Sequence, residues 1–244
     1  MKQGLFEIVE NTPLTDSVYK MTLQGDTSAI TAPGQFVNIQ LDGLFLRRPI
    51  SVCDVQTDKL TILYKVVGKG TQQMSKMRTG QLDVLTGLGN GYDLSKAGDM
   101  PVLIGGGVGV PPMYLLCKKL LKLGKAVTVI LGFNTKNEIF YEEEFRALGA
   151  SVIVTTVDGS YGVKGFVTDA LKNLQYSYFY ACGPEPMLKA VYKTSVTSGQ
   201  MSFEKRMGCG FGACMGCSCK TITGYKRICK EGPVMEKEEI LWED

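Results

Sequence analysis

Histidine is absent from all 244 residues. That removes the commonest general base, any histidine-ligated metal and every Ser–His or Cys–His nucleophile pair. A strong charge of one sign is missing too. Lys and Arg number 27 against 24 Asp and Glu, a net charge of +3, too balanced for nucleic acid, which asks for a clearly basic domain. No apolar run reaches the ~18 residues of a membrane span. Met1–Glu7 lacks the apolar centre of a signal peptide. A soluble, cytoplasmic protein with neither nucleic acid nor membrane as partner is expected. Disorder is excluded, because hydrophobic residues make up 44% of the chain, enough for packed cores.

What the chain does have is cysteine, eight in all and unevenly spread. Cys53, Cys117 and Cys182 are scattered, whereas Cys209, Cys214, Cys217, Cys219 and Cys229 crowd one short segment. Without a secretion signal, such a cluster points to metal before disulfides. Cys209-Gly210-Phe211-Gly212-Ala213-Cys214-Met215-Gly216-Cys217 reads C-x4-C-x2-C, with Cys229 following. This is plant-type [2Fe–2S] spacing. Gly208, Gly210, Gly212 and Gly216 permit the tight turns that aim backbone N–H groups at sulfur. A structural zinc site is the competing reading, although zinc loops favour paired C-x2-C knuckles and one such pair is present. Cys219 is a surplus sulfur that competes with Cys217 or Cys229 as ligand.

Three textures follow one another, and the expected domains are 1–99, 100–200 and 201–244. The first reads as an antiparallel β-barrel, with strands over Leu5–Val9, Val18–Leu23, Gln35–Leu41, Leu60–Val67 and Gln81–Leu85 between Pro, Gly and Asp turns. From Met100 the period changes. Strands at Val102–Ile104, Ala126–Leu131, Val152–Val157 and Tyr178–Ala181 alternate with helices at Met113–Leu123, Glu142–Leu148, Val167–Leu174 and Pro186–Val196. This α/β alternation predicts right-handed βαβ units around a parallel sheet. The last segment is too short for a core of its own, so a metal centre is the expected staple.

Two turns carry nucleotide chemistry. Gly105-Gly106-Gly107-Val108-Gly109-Val110-Pro111-Pro112 follows a strand and opens a helix, giving G-x-G-x-x-P with Gly105, Gly107, Gly109 and Pro112 as the candidates. Such glycines let backbone approach a pyrophosphate at a helix N-terminus, and proline suits a first helical turn. Cys182-Gly183-Pro184 ends a later strand and is expected on the same sheet edge, with Cys182 near a nicotinamide. In the first segment, Arg47-Arg48-Pro49-Ile50-Ser51 and Gly68-Lys69-Gly70-Thr71 offer a guanidinium, a hydroxyl and a second helix start. A charged turn and a surface loop are the plainer reading of both.

A barrel followed by a βαβ domain with G-x-G-x-x-P and C-G-P resembles the ferredoxin–NADP reductase superfamily. With the cysteine segment added, the chain resembles the electron-transfer subunits of type B, NAD-dependent dihydroorotate dehydrogenase. The resemblance runs in order through Leu46–Ser51, Gly105–Met113, Asp158–Asp169, Tyr180–Leu188, Glu204–Cys219 and Tyr225–Val234. It implies FAD contacts from Arg48, Pro49, Ile50 and Ser51, from Tyr64, Lys65 and Val66, and from Gly70 and Thr71. It implies that Cys209, Cys214, Cys217 and Cys229 ligate the cluster. The superfamily's usual R-x-Y-S/T tyrosine is Ile50 here, so arguments from aromatic stacking do not transfer. By the same resemblance, an FMN-containing partner subunit, two copies of each chain together, oxidises dihydroorotate in pyrimidine biosynthesis. Electrons then pass singly through [2Fe–2S] to FAD and leave as hydride to NAD⁺. Two alternatives stand beside this: the corresponding subunit of a sulfide dehydrogenase or ferredoxin-linked transhydrogenase, and a zinc-stapled nucleotide-binding module without redox activity. NAD itself rests on the resemblance. The strand ending Gly132–Asn134 has no acid at its tip, Glu138 is the nearest, and Lys136 suits a 2′-phosphate.

Overall fold

The computed structural model describes residues 1–242; Glu243 and Asp244, the last two of the 201–244 segment, lie outside the described residues. The first part is a barrel of β1 (Lys2–Pro13), β2 (Val18–Gln24), β3 (Phe36–Ile39), β4 (Arg48–Gln56), β5 (Lys59–Lys65) and β6 (Gln81–Leu88), with α1 (Lys69–Lys76) between the last two. It closes in the order β1-β2-β5-β4-β3-β6, every pair antiparallel. Closure leaves no bare strand edge. Its interior is apolar, built on Phe6, Met21, Leu23, Val37, Ile39, Leu60 and Ile62. The expected strands are all present. One was missed, β4, because Arg47-Arg48-Pro49 reads as a charged turn. Pro49 instead lies opposite Asn38 in the ladder, near the strand's start, where a missing N–H is tolerated.

The second part is a sheet with helices on both sides: β7 (Val102–Gly106), α2 (Val110–Lys122), β8 (Thr128–Phe133), α3 (Glu142–Ala147), β9 (Ser151–Thr156), β10 (Val163–Lys164), α4 (Val167–Leu171), β11 (Phe179–Cys182), α5 (Glu185–Thr194) and β12 (Gly199–Ser202). These strands are parallel and run β10-β9-β8-β7-β11-β12 across the sheet. Period-two alternation explains the two covered faces. Leu103, Val129 and Leu131 enter one core with α2 and Phe145 of α3, while Val102, Ile104 and Ile130 enter the other with Val167 and Leu188. Helix α2 buries Val110, Met113, Leu116, Cys117 and Leu120, a spacing of three and four that makes one apolar stripe.

The third part does not stand alone but leans on the sheet of the second. Its hairpin, β13 (Ser218–Thr221) with β14 (Gly224–Arg227), is separate, but β15 (Val234–Glu236) adds antiparallel to β12. Cys217, Ile228, Cys229, Met235 and Ile240 belong to the core under α4 and α5. About forty residues cannot enclose a core of their own, so this segment shares one. Glu236 fixes the join: its Oε1 accepts from Lys96 Nζ at 2.7 Å and Gln200 Nε2 at 2.6 Å, and its Oε2 from Tyr178 Oη at 2.8 Å.

Barrel and sheet are also tied directly. Lys118 Nζ of α2 lies 3.0 Å from both carboxylate oxygens of buried Asp54 on β4. Val18, Cys53 and Leu63 of the barrel pack into the α2 core. Among the described residues no helix is long and apolar enough to cross a membrane.

Candidate functional site

A cleft of about 610 Å³ opens between barrel and sheet, and its lining runs from Ser17 and Lys65 on the barrel to Gly107, Gly109, Gly183 and Pro184 at the strand ends. The two glycine turns meet at its floor. Cys182 pairs with Gly105 in the ladder, and a Cβ on Gly109 would stand 2.1 Å from the carbonyl oxygen of Cys182. Only glycine allows that approach. The two turns therefore share one edge, as the sequence implies.

Not every sequence candidate faces this cleft. Gly105 is wedged against Val110, Pro112 is buried within α2, and Cys182 is 4% exposed. None of the three lines the cleft; they pack the turns that do. Burial, and then the charge of Glu204, push the Cys182 thiol up to about 12 against a hydrogen bond from Ser202. It is a neutral thiol at physiological pH and no nucleophile. Sequence reasoning missed Thr15, Ser17, Phe166, Met187 and Glu204, all in the lining. Glu204 was within reach of a rule: it lies just past the C-terminal end of a parallel strand, where ligands of such sheets gather.

Glu138 corrects the expectation about the tip of β8. Its Oε2 accepts from the backbone N–H of Asn134 at 3.1 Å and from Asn134 Nδ2 at 2.9 Å. The carboxylate is thus folded back over the strand tip and lines the cleft, leaving Oε1 without a partner among the described residues. Lys136 is turned elsewhere, its Nζ 5.9 Å from the Tyr161 ring centroid.

The FAD candidates fall into two sets. Arg48, Pro49, Ile50 and Ser51 form a half-buried stretch of β4. Arg48 lies over the start of α1, where a Cβ on Gly70 would stand 2.2 Å from the guanidinium Nε. Arg48, Gly70 and Thr71 therefore converge. Thr71 Oγ1 caps its own helix, accepting from the N–H of Val67 at 3.0 Å and of Gly68 at 3.3 Å. A guanidinium over the unpaired N–H groups of a first helical turn is a phosphate cradle, which fits FAD. Lys65 is exposed and Val66 half-buried beside it. Tyr64 differs: at 2% exposed it belongs to the barrel core, with its hydroxyl donating to Asn11 Oδ1 at 2.9 Å. Its backbone, not its ring, is what a ligand could touch.

The cysteine loop rests on the barrel beside this stretch. Asn38, which pairs with Pro49 across β3 and β4, donates from Nδ2 to the carbonyl of Cys209 at 3.3 Å. The sulfurs form two pairs. All are free thiols: the N–H of Cys209 donates to Cys214 Sγ at 3.5 Å, and the N–H of Cys229 to Cys217 Sγ at 3.5 Å. Among the described residues no three metal-ligating side chains converge on one point. Cys209 Sγ accepts from the N–H of Ala213 at 3.2 Å and of Cys214 at 3.4 Å. Burial works against its thiolate, yet the N–H groups of Phe211, Cys214 and Ala213 outweigh it and hold the thiol down at about 6. Cys229 is pushed up to about 12 by burial first and by its neighbour Cys217 second, so a bound cation is what would deprotonate it. N–H groups aimed at sulfur, and two thiol pairs, fit an iron–sulfur cluster. Cys219 lies half-buried on β13, opposite Lys226 of β14.

Comparison with known proteins agrees with this layout. Residues 204–241 match the iron–sulfur cluster binding domain of dihydroorotate dehydrogenase B, and residues 103–193 match the oxidoreductase NAD-binding domain. The electron transfer subunit of dihydroorotate dehydrogenase B (NAD(+)) from Bacillus pumilus is 43% identical over 98% of this chain and 98% of its own. That from Fusobacterium nucleatum is 44% identical over 96% of each. A solved NADH-dependent reduced ferredoxin–NADP oxidoreductase superposes with a TM-score of 0.88 at 30% identity, over 98% of this chain and 90% of that one. A ferredoxin NADP⁺ reductase from Neisseria gonorrhoeae shares the fold, with a TM-score of 0.70 at 19% identity over 80% of this chain and 90% of that one.

Barrel, parallel sheet and intervening cleft define a nicotinamide-linked oxidoreductase of the ferredoxin–NADP reductase fold. Identity at this level over nearly the full length is decisive for the narrower group. The chain belongs to the family of electron transfer subunits of dihydroorotate dehydrogenase B (NAD(+)).

Proposed function

We propose that this chain carries electrons from an FMN-containing, dihydroorotate-oxidising subunit to NAD⁺ in pyrimidine biosynthesis, working in the cytoplasm as part of a complex with two copies of each subunit. The domains 1–99, 100–200 and 201–244 would hold FAD, NAD and a [2Fe–2S] cluster in turn. Bound FAD supplies the exchange between a one-electron cluster and a nicotinamide that takes a hydride.

The chain's own residues prepare for this. Arg48 with Gly70 and Thr71 grips the FAD phosphates, while Pro49, Ile50 and Ser51 support its ring and the backbone of Tyr64, Lys65 and Val66 borders it. Gly107 and Gly109 admit the dinucleotide pyrophosphate, and Gly183 with Pro184 shapes the nicotinamide pocket; Gly105, Pro112 and Cys182 brace those turns from behind. Glu138 offers its free carboxylate oxygen to a ribose hydroxyl, which favours NAD over NADP. No protein base is required, consistent with the missing histidine and the neutral Cys182 thiol. Cys209 with Cys214 would hold one iron and Cys217 with Cys229 the other. Cys214, Phe211 and Met215 are exposed, so that loop is the door through which an outside donor reaches the cluster.

The observation that carries this reading is the contact of the cysteine loop, at Cys209 and Gly210, with Asn38 on the strand next to Arg48–Ser51. Co-expression with the FMN subunit tests it, by native mass spectrometry with flavin and iron counts. The chain alone should reduce dyes with NADH and leave dihydroorotate untouched. Turnover of dihydroorotate by the isolated chain would overturn the division of labour. The likeness to the NADH-dependent ferredoxin–NADP oxidoreductase supports the transhydrogenase alternative, for which the co-purifying partner would contain no dihydroorotate-oxidising FMN site.

A further inference from the structure

One residue joins both candidate redox sites, the flavin strand through its backbone and the cysteine loop through its side chain. Asn38 is 1% exposed, and its backbone is the ladder partner of Pro49 in the flavin stretch. Neighbouring Val37 and Ile39 point into the barrel core, so Asn38 points the other way, outward against the cysteine loop. There its Nδ2 donates to the Cys209 carbonyl at 3.3 Å. The fit is close. A Cβ on Gly210 would lie 2.3 Å from Nδ2, and Gly210 has φ +78°. The peptide that Asn38 holds thus opens the turn whose later N–H groups, from Ala213 and Cys214, reach Cys209 Sγ.

Two further facts single the residue out. Its backbone is clamped: Arg47 Nη1 donates to the Asn38 carbonyl at 3.2 Å, to the Asp83 carbonyl at 3.1 Å and to Asp83 Oδ1 at 2.9 Å. And Asn38 Oδ1 is buried with no hydrogen-bond partner among the described residues. An unpaired buried acceptor is destabilising, whereas an apolar side chain of similar size would have packed there without that penalty. A carboxamide in this place is explained by what it positions.

We propose that Asn38 is the positioning residue that couples the flavin strand to the cluster loop, fixing the Cys209–Gly210 peptide relative to Pro49. It acts through the loop and not on the reacting atoms. The inference rests on the proposed presence of FAD and [2Fe–2S] in this chain.

The test uses full-length protein in its complex, with the variants Asn38→Asp and Asn38→Leu. The first keeps the shape but loses the donor; the second packs but offers neither donor nor acceptor. Iron, sulfide and FAD are counted, the EPR line shape of the dithionite-reduced cluster is recorded, and cluster reduction after mixing with NADH is followed by stopped flow. The expected result is wild-type FAD content, a shifted or broadened cluster signal, and cluster reduction slowed several-fold. Loss of the cluster alone, with FAD kept and unfolding still cooperative, also supports the proposal. An unchanged signal and rate at full cofactor content overturn it. So does joint loss of FAD and cluster, which marks a merely structural role. Wild-type protein free of iron would overturn the functional reading itself, a different failure from either.

Discussion

Replacing Glu138 by alanine should change the choice of nicotinamide more than any other single substitution. Its carboxylate is pre-set by two bonds from Asn134, at 3.1 and 2.9 Å, so ordering it for a ribose hydroxyl costs little further entropy. A hydrogen bond to a charged group is worth about 1.5–3 kcal/mol, or roughly ten- to a hundred-fold in affinity. The same charge opposes a 2′-phosphate. Unit charges near 4 Å repel by about 4 kcal/mol at an effective dielectric of 20, and about half of that is a fair value for a half-buried group. Glu138→Ala should therefore lower kcat/KM for NADH by about tenfold or more and raise it for NADPH, moving the ratio by about a hundredfold or more. Steady-state dye reduction with each nicotinamide measures it. A ratio that stays put, in a wild-type protein that prefers NADH, would refute the assignment of the strand-tip acid.

Other outcomes follow from the same geometry. Serine at Cys209, Cys214, Cys217 or Cys229 should abolish the visible cluster absorbance, while serine at Cys219 or Cys53 should spare it; a colourless Cys219 variant would redraw the ligand set. Arg48→Ala should weaken FAD retention by about ten- to a hundred-fold, read as the flavin left after gel filtration. Glu236→Gln should lower the melting temperature at pH 7 by several degrees, for about 1–3 kcal/mol lost. Burial raises the Glu236 carboxyl, but Lys96, Gln200 and Tyr178 outweigh it and the net shift is downward. A depressed carboxyl contributes stability above its unfolded value of about 4.3 and loses that contribution as pH falls through the folded one. The melting gap between wild type and variant should therefore close on acidification below about pH 4; a gap that widens would contradict the assigned bonds.

Much of this was legible in the residues because the signals were local. The C-x4-C-x2-C spacing, the glycine turn after Val102–Ile104 and the switch from period two to helical periodicity are each read within a dozen residues. Strand β4 was hidden because its opening, Arg48-Pro49, carries the chemistry of a turn while its pairing with β3 is a long-range fact. Strand β15 was hidden likewise, since three residues hold no periodicity and its partner β12 is far along the chain. The site shows the same divide. Sequence spacing identified the motifs, yet it could not say which members line the cleft. Gly105, Pro112 and Cys182 brace the turns, and the Tyr64 ring belongs to the barrel core. Glu138 lies four residues from Asn134 and only the short helical turn over Lys136–Glu138 brings its carboxylate back. Asn38 carries no motif at all; its meaning lies in a bond to a residue in another segment.

The relay through FAD and a two-iron centre is best tested by titrating anaerobically prepared protein with NADH while recording its EPR spectrum. The account predicts bleaching of the flavin together with the rhombic signal of a reduced [2Fe–2S] cluster, integrating toward one spin per chain. Flavin bleaching with no such signal, in protein whose metal is zinc or absent, would contradict it.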